Sequence, residues 1–186
     1  MLPSFKLPFR FNPTRLKADL ANIPPDAWIA HFNIHCYQGD WSGAALRSAG
    51  GVATQIYPDR MTAEESYANT ALLDACPYFQ EVLTNFKCPT EAVRLLKLTA
   101  GSQIREHRDY KLGYEDGEVR IHIPVVTCPE VEFFLAGETL EMNEGEAWYI
   151  NVNLPHRVEN RSSIDRVHLV IDCVVNDWLR FQLGQD

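Results

Sequence analysis

His107-Arg108-Asp109, His156 and Arg166 are the residues of this chain whose types and spacing could do chemistry. Side chains at i and i+2 of an extended segment point the same way, so His107 and Asp109 can enter one cavity together. His156 follows 49 residues after His107, behind an apolar run, Gly145-Glu146-Ala147-Trp148-Tyr149-Ile150, that could return the chain to the same place. Two imidazoles and one carboxylate on one face of a metal ion leave its other positions open, which is how non-haem Fe(II) centres admit a further ligand and O₂. A His-x-Asp pair alone carries little information. Order, spacing and flanking runs together make His107, Asp109 and His156 the candidate metal ligands.

Arg166 opens the alternating run Val167-His168-Leu169-Val170-Ile171-Asp172, and a buried guanidinium there requires a partner. An internal aspartate is one solution; a ligand carboxylate gripped by both prongs is the functional one. Arg120-Ile121-His122 repeats the i, i+2 logic, with Val119, Ile121 and Ile123 on the opposite, packed face. That makes His122 a candidate second donor to a ligand carboxylate. His31, His35 and His168 are read as structural, His168 through a hydrogen bond beside Arg166.

The elements that must position these residues are short. From Val93 onward, candidate strands at 93–99, 103–109, 118–126, 131–135, 138–142, 146–152, 156–161 and 166–175 are separated by turn residues such as Gly101-Ser102, Asp116-Gly117, Ala136-Gly137 and Asn143-Glu144-Gly145. About eight such strands indicate a double-sheet jelly roll or barrel, a cupin-like double-stranded β-helix. Pro124 marks a strand edge or bulge. Residues 1–92 read as a mixed α/β support region. A helix starts at Asn12-Pro13-Thr14 and stops at Pro24-Pro25, a strand runs through 28–35, and a helical region covers about 63–87. Trp178 to Leu183 reads as a short closing helix. The expected organisation is one domain over 1–186, with the jelly-roll core at 93–176 and a C-terminal segment at 177–186.

Composition supports a globular domain: 186 residues, 46% apolar and 11% aromatic. A net charge of −8 disfavours nucleic acid and anionic membranes as partners. Positive charge is nonetheless gathered around the motif, at Arg105, Arg108, Lys111, Arg120, Arg157, Arg161 and Arg166, which points to an anionic small molecule. Five widely spaced cysteines without a CxxC pair read as reduced thiols. With no signal-peptide pattern at the start and no apolar run near the ~20 residues needed for a span, a cytoplasmic location is expected.

Leu96 to Thr127, Leu154-Pro155-His156-Arg157-Val158-Glu159-Asn160 and Arg166 together resemble the aspartyl/asparaginyl β-hydroxylase family, with Trp41 and Leu46-Arg47-Ser48 as a further upstream match. The resemblance implies a double-stranded β-helix that uses Fe(II), 2-oxoglutarate and O₂. By position it implies His107 and His156 as metal histidines and Asp109 as the carboxylate that many bacterial members carry. Arg166 then binds the distal carboxylate of 2-oxoglutarate, His122 stands near its chelating end, and Arg120 matches a substrate-facing arginine. Two positions depart from the animal enzyme: Leu96 replaces a cosubstrate-binding serine, and Glu118 replaces a second substrate-facing arginine, which weakens the case for an aspartyl substrate.

The expected activity is hydroxylation of an unactivated carbon in an amino acid or amino-acid residue, free or within a peptide. Arg120, Arg108, Lys111 and Arg157 are candidates to hold an anionic group, and Tyr110, Tyr114 and Trp41 to shape the pocket. Two other readings stay open on the residues alone. One is a non-catalytic cupin that senses a keto acid; the other is a hydrolase or isomerase cupin using another metal. Ala49-Gly50-Gly51 and Met61-Thr62 have the composition of loops that could move on substrate binding.

Overall fold

The computed structural model describes residues 2–185. In chain order its elements are β1 (Ser4–Arg10), α1 (Pro13–Leu20), β2 (Ile29–Ala30), β3 (Tyr37–Gln38), β4 (Trp41–Ala49), β5 (Tyr67–Asn69), α2 (Ala71–Asp74), α3 (Pro77–Leu83), β6 (Thr90–Leu98), β7 (Gln103–His107), β8 (Glu118–Val126), β9 (Val131–Leu135), β10 (Glu138–Thr139), β11 (Glu146–Ile150), β12 (His156–Asn160), β13 (Arg166–Val174) and α4 (Asp177–Gln182). The major sheet has the order β1-β11-β8-β13-β6-β4-β2, with β5 also on β4, and the minor sheet the order β10-β9-β12-β7-β3. This is the expected jelly roll, and the strands anticipated from Val93 onward are all present within a few residues of their expected ends.

Strand periodicity decides which side chains reach the site. On β6, β8 and β13 the odd-numbered residues Val93, Leu95, Val119, Ile121, Ile123, Val167, Leu169 and Ile171 pack against Leu16, Phe79, Val82 and Leu179 of the flanking helices. The even-numbered Leu96, Leu98 and Val170 face the other way and meet Ile104, Phe133, Leu135 and Val158 of the minor sheet. The same inner face carries Arg94, Arg120, His122, Arg166, His168 and Asp172, all buried. One face is thus a dry apolar core and the other a polar chamber.

The N-terminal region departs from expectation in four places, each through tertiary contact. The helical region at 63–87 is broken into β5, α2 and α3. Arg47 on β4 draws residues 67–69 into the sheet by donating to Tyr67 O and Asn69 Oδ1. The helix α3 restarts at Pro77 because Asp19 of α1 caps it, accepting from the N–H groups of Tyr78 and Phe79 at 2.7 and 2.8 Å. The strand at 28–35 shortens to β2, after which the chain turns so that His31 stacks on Trp41. Two long strands were not anticipated. In β1, Pro8 is tolerated because this is an edge strand paired only with β11. In β4 the small residues Ser42, Gly43, Ala44 and Ala45 lack strand propensity but fit between two neighbours. Gly39 (φ +89) turns β3 into β4 where a Cβ would lie 2.1 Å from Ser102 Oγ.

Candidate active site

His107 and His156 are cross-strand partners on β7 and β12, with ring centroids 4.2 Å apart. Asp109 stands two residues beyond the end of β7, anchored by its N–H donating to Val152 O at 2.9 Å. One side-chain donor atom from each of the three lies within 4.8 Å of the other two, and His107 Nε2 is 3.9 Å from Asp109 Oδ1. The tautomers are set from behind. His107 Nδ1 donates to Arg105 O at 2.8 Å and His156 Nδ1 to Leu154 O at 3.0 Å, which leaves each Nε2 as the ring nitrogen available to an ion. Burial, reinforced by neighbouring His107, pulls His156 down to about 4, so it is neutral at physiological pH. Burial acts to raise Asp109, but Arg120, His156, His107 and Arg94 outweigh it and hold the carboxylate below its ordinary range. Neutral imidazoles and an ionised carboxylate are the states a divalent ion requires.

These residues open onto a cavity of about 360 Å³. On its floor Arg166 is 2% exposed and has no acidic partner among the described residues. Its Nη2 donates to His168 Nδ1 at 2.9 Å, while its Nε is buried without a partner. Burial pushes this guanidinium down to about 9, still charged at neutral pH. His122 contacts the same His168 Nδ1 through its own Nδ1 at 3.3 Å, and its Nε2 is likewise buried and unpartnered. Buried polar atoms are rarely left orphaned, and here four of them, on Trp41, Arg94, His122 and Arg166, belong to cavity-lining residues. His168 itself makes the structural hydrogen bonds expected of it.

The structure separates the expected substrate residues. Arg108 lines the cavity at its rim, with Nη1 donating to Asn153 O. Arg120 lines it too, but three of its five N–H donors are engaged: Nη1 goes to Asp109 Oδ2 at 2.6 Å, and Nε and Nη2 go to Asp172 at 2.7 and 3.0 Å. Two internal carboxylates, Asp109 and Asp172, already balance its charge, which counts against the expectation that Arg120 holds the substrate's anionic group. Lys111 is exposed with φ 62 and lies outside the cavity lining. Tyr114 packs on the helix-side core, its hydroxyl accepting from Arg180. Arg157 lies on the outer face of β12, its guanidinium 3.5 Å from the Phe134 ring centre and paired with Glu159. An odd position on β12 points away from the site that His156 and Val158 face. Glu118 is in a separate surface hollow with Asp59, Arg60, Tyr67 and Glu91.

Three cavity residues were not anticipated. Arg94, 2% exposed, donates Nη2 to Asp172 at 3.1 Å and Nη1 to Ile56 O at 3.2 Å, and its Nε has no partner. His31, stacked on Trp41, is driven down to about 3 by burial and by Arg94. Asp59, with Tyr57 and Pro58, forms the rim. The period-two argument applied to Arg120 and His122 also places Arg94 beside Leu96 and Leu98, so its position was readable from the same signal.

The family model for aspartyl/asparaginyl β-hydroxylase matches residues 12–175. The chain belongs to this family. Among its relatives, L-proline cis-4-hydroxylase of Rhizobium meliloti (strain 1021) is 27% identical over an alignment of 170 residues that covers 88% of this chain and 58% of that protein. The chain thus spans little more than half the length of this relative. In fold it is similar to a 2OG-Fe(II) oxygenase family oxidoreductase of Burkholderia pseudomallei, with a TM-score of 0.61 at 15% identity over 94% of this chain and 86% of that one. It is also similar to a Pseudomonas putida prolyl-4-hydroxylase, with a TM-score of 0.57 at 14% identity over 94% and 93%. Among the described residues no helix is long and apolar enough to cross a membrane.

Proposed function

We propose that this chain is an Fe(II)- and 2-oxoglutarate-dependent hydroxylase acting on an aliphatic carbon of a small amino acid. The observation that carries the reading is a buried, carboxylate-free Arg166 on the same cavity as the convergent His107, Asp109 and His156. The donor set fits Fe(II): two imidazoles and a carboxylate, each oriented from behind, with the cavity open beside them. When bound, iron and 2-oxoglutarate supply the oxidising chemistry, in which O₂ and the keto acid yield succinate, CO₂ and a hydroxyl on the substrate.

The protein's part is placement and exclusion of water. Arg166 would grip the distal carboxylate of the keto acid, its desolvation already met in folding. His122 Nε2 is the second polar contact. Because His168 Nδ1 accepts from Arg166, His122 carries its proton on Nδ1 in this arrangement, and donation toward a carboxylate requires that proton to shift to Nε2. Leu96, Ile104, Phe133, Val152 and Val158 provide the apolar wall.

For the substrate, charge and size are informative. The ion's two positive charges cancel the keto acid's two negative ones. Arg94, Arg120 and Arg166 against Asp109 and Asp172 then leave one positive charge in excess in a buried site. A monoanionic substrate group at the free Arg94 Nε would neutralise it, and the exposed Asp59 at the rim suits an ammonium. The cavity of about 360 Å³ lies at the small end of ligand pockets, about 300–1,000 Å³, which favours a free amino acid over a folded protein.

The test is to load the protein anaerobically with Fe(II), add 2-oxoglutarate and record the weak visible charge-transfer band of an iron-bound keto acid. Free amino acids are then screened by succinate release. A band with amino-acid-dependent succinate supports the reading. Iron binding without a band would instead favour a cupin that uses its metal for other chemistry.

A further inference from the structure

Asp172 neither belongs to the candidate ligand set nor lines the cavity, yet it is 2% exposed and holds two guanidiniums. Its Oδ1 accepts from Arg120 Nε at 2.7 Å, and its Oδ2 accepts from Arg120 Nη2 at 3.0 Å and Arg94 Nη2 at 3.1 Å. Arg120 then reaches forward with Nη1 to Asp109 Oδ2 at 2.6 Å. The other oxygen of Asp109, Oδ1, is the one 3.9 Å from His107 Nε2. Arg94, Asp172, Arg120 and Asp109 thus form a chain of alternating charge that ends at the candidate metal ligand. The cross-strand register supports it, since Asp172 on β13 stands directly opposite Arg120 on β8.

We infer that Asp172 is a positioning residue for the metal site. By clamping Arg120 with both of its oxygens it aims the third guanidinium nitrogen at Asp109 Oδ2, which leaves Oδ1 free for the ion. The inference rests on the metal centre proposed above. A guanidinium held by two parallel bonds on one carboxylate has a fixed direction for its remaining N–H, and a lysine could not supply this. Stability alone does not account for the arrangement, because well-packed apolar residues usually do as well as a buried ion-pair chain. What the chain supplies is direction.

The sign of the effect follows from charge. In Asp172→Asn, Arg120 keeps Asp109 as its anionic partner and regains two loosely held donors. The carboxylate is drawn into a two-pronged contact that occupies both of its oxygens, and the site gains one positive charge close to a dication. Both changes weaken metal binding.

Fe(II) and Mn(II) affinity should be measured anaerobically by calorimetry on the metal-free protein without keto acid, a readout independent of turnover. Asp172→Asn is expected to bind each ion about tenfold or more weakly, within the 10–100-fold range usual for outer-sphere partners, with its circular dichroism retained. In an Arg120→Gln background the same substitution should change affinity by much less, because the route to Asp109 is already cut. A folded Asp172→Asn protein with unchanged affinity, or an equal loss with and without Arg120, overturns the inference. Should Asp172→Asn fail to fold, Arg120→Lys keeps the charge but cannot bridge two carboxylates. It should show the same loss, and wild-type affinity there overturns the idea equally. A wild-type protein that binds neither ion overturns the metal centre itself.

Discussion

Replacing Arg166 by Met separates the cost of this residue from its use. In the ligand-free protein the guanidinium is 2% exposed and, among the described residues, is bonded only to His168 through Nη2, with Nε unpartnered. No carboxylate among the described residues pairs with it to offset its desolvation. Apolar replacement of a whole buried ion pair is often neutral or stabilising by about 1–4 kcal/mol, and a buried charge without a counter-ion forfeits no pairing when it is replaced; about 1 kcal/mol moves the melting temperature of a domain this size by about 2–4 °C. Arg166→Met should therefore melt at the same temperature or several degrees higher without ligands. Keto-acid binding should move the opposite way. Removing one partner of a desolvated charge pair costs about 2–5 kcal/mol, so 2-oxoglutarate should bind roughly 30- to 4,000-fold more weakly, while Fe(II) affinity stays near wild type. Anaerobic titration of the charge-transfer band and thermal unfolding of the metal-free protein give the two numbers. If Arg166→Met melts well below wild type and binds keto acid normally, Arg166 is a structural residue and the cosubstrate assignment fails.

Three further outcomes follow from the geometry. Ala at His107, Asp109 or His156 should remove Fe(II) binding by calorimetry and abolish succinate formation; retained turnover in all three variants would refute the ligand set. Substitution of Lys111 or Arg157 by Ala, or Tyr114 by Phe, should leave the KM for the amino-acid substrate essentially unchanged, since none of the three lines the cavity; a large rise in KM for any one would show that the cavity closes differently with substrate bound. Glu118 is raised to about 7 by burial, with Glu91, Asp172 and Asp59 adding to it. A carboxyl whose folded value lies above its unfolded 4.5 contributes stability below about pH 4.5 that is lost as pH rises through about 7. Glu118→Gln should thus raise the melting temperature at pH 8 and leave it nearly unchanged at pH 4.5; an equal shift at both would exclude titration as the cause.

What could be read from the sequence, and what could not, divides along a physical line. Strands with β-branched and alternating residues, β8 and β13 among them, were legible, because local propensity and tertiary role agree there. The strand β4 was not: Ser-Gly-Ala-Ala has no strand preference and is extended only because β2 and β6 hold it on both sides. Nor was β5, which is a strand because Arg47 binds its backbone. The metal candidates were legible because their spacing carries their chemistry. Arginine roles were not, since a guanidinium's function depends on which carboxylate it meets, and that is a cross-strand fact. Arg120 was read as free for substrate, yet it is committed to Asp109 and Asp172.

The two faces of the major sheet explain why one strand can serve both stability and chemistry. On β13 the odd residues Val167, Leu169 and Ile171 are buried among the helices and bind the fold together, at about 1.5–3 kcal/mol for each large aliphatic side chain. The even residues Arg166, His168 and Asp172 are equally buried but return little net stability, because each exchanges hydration for a hydrogen bond or an ion pair. A one-residue slip of β13 would place Val167 and Leu169 in the chamber and Arg166 in the apolar core, so register and site are specified by the same alternation. Surface acidity is a separate matter. The buried even face holds Arg94, Arg120 and Arg166 against a single carboxylate, Asp172, inside a protein of net charge −8, so the sign of the interior field is set by the strand alternation and not by the overall composition.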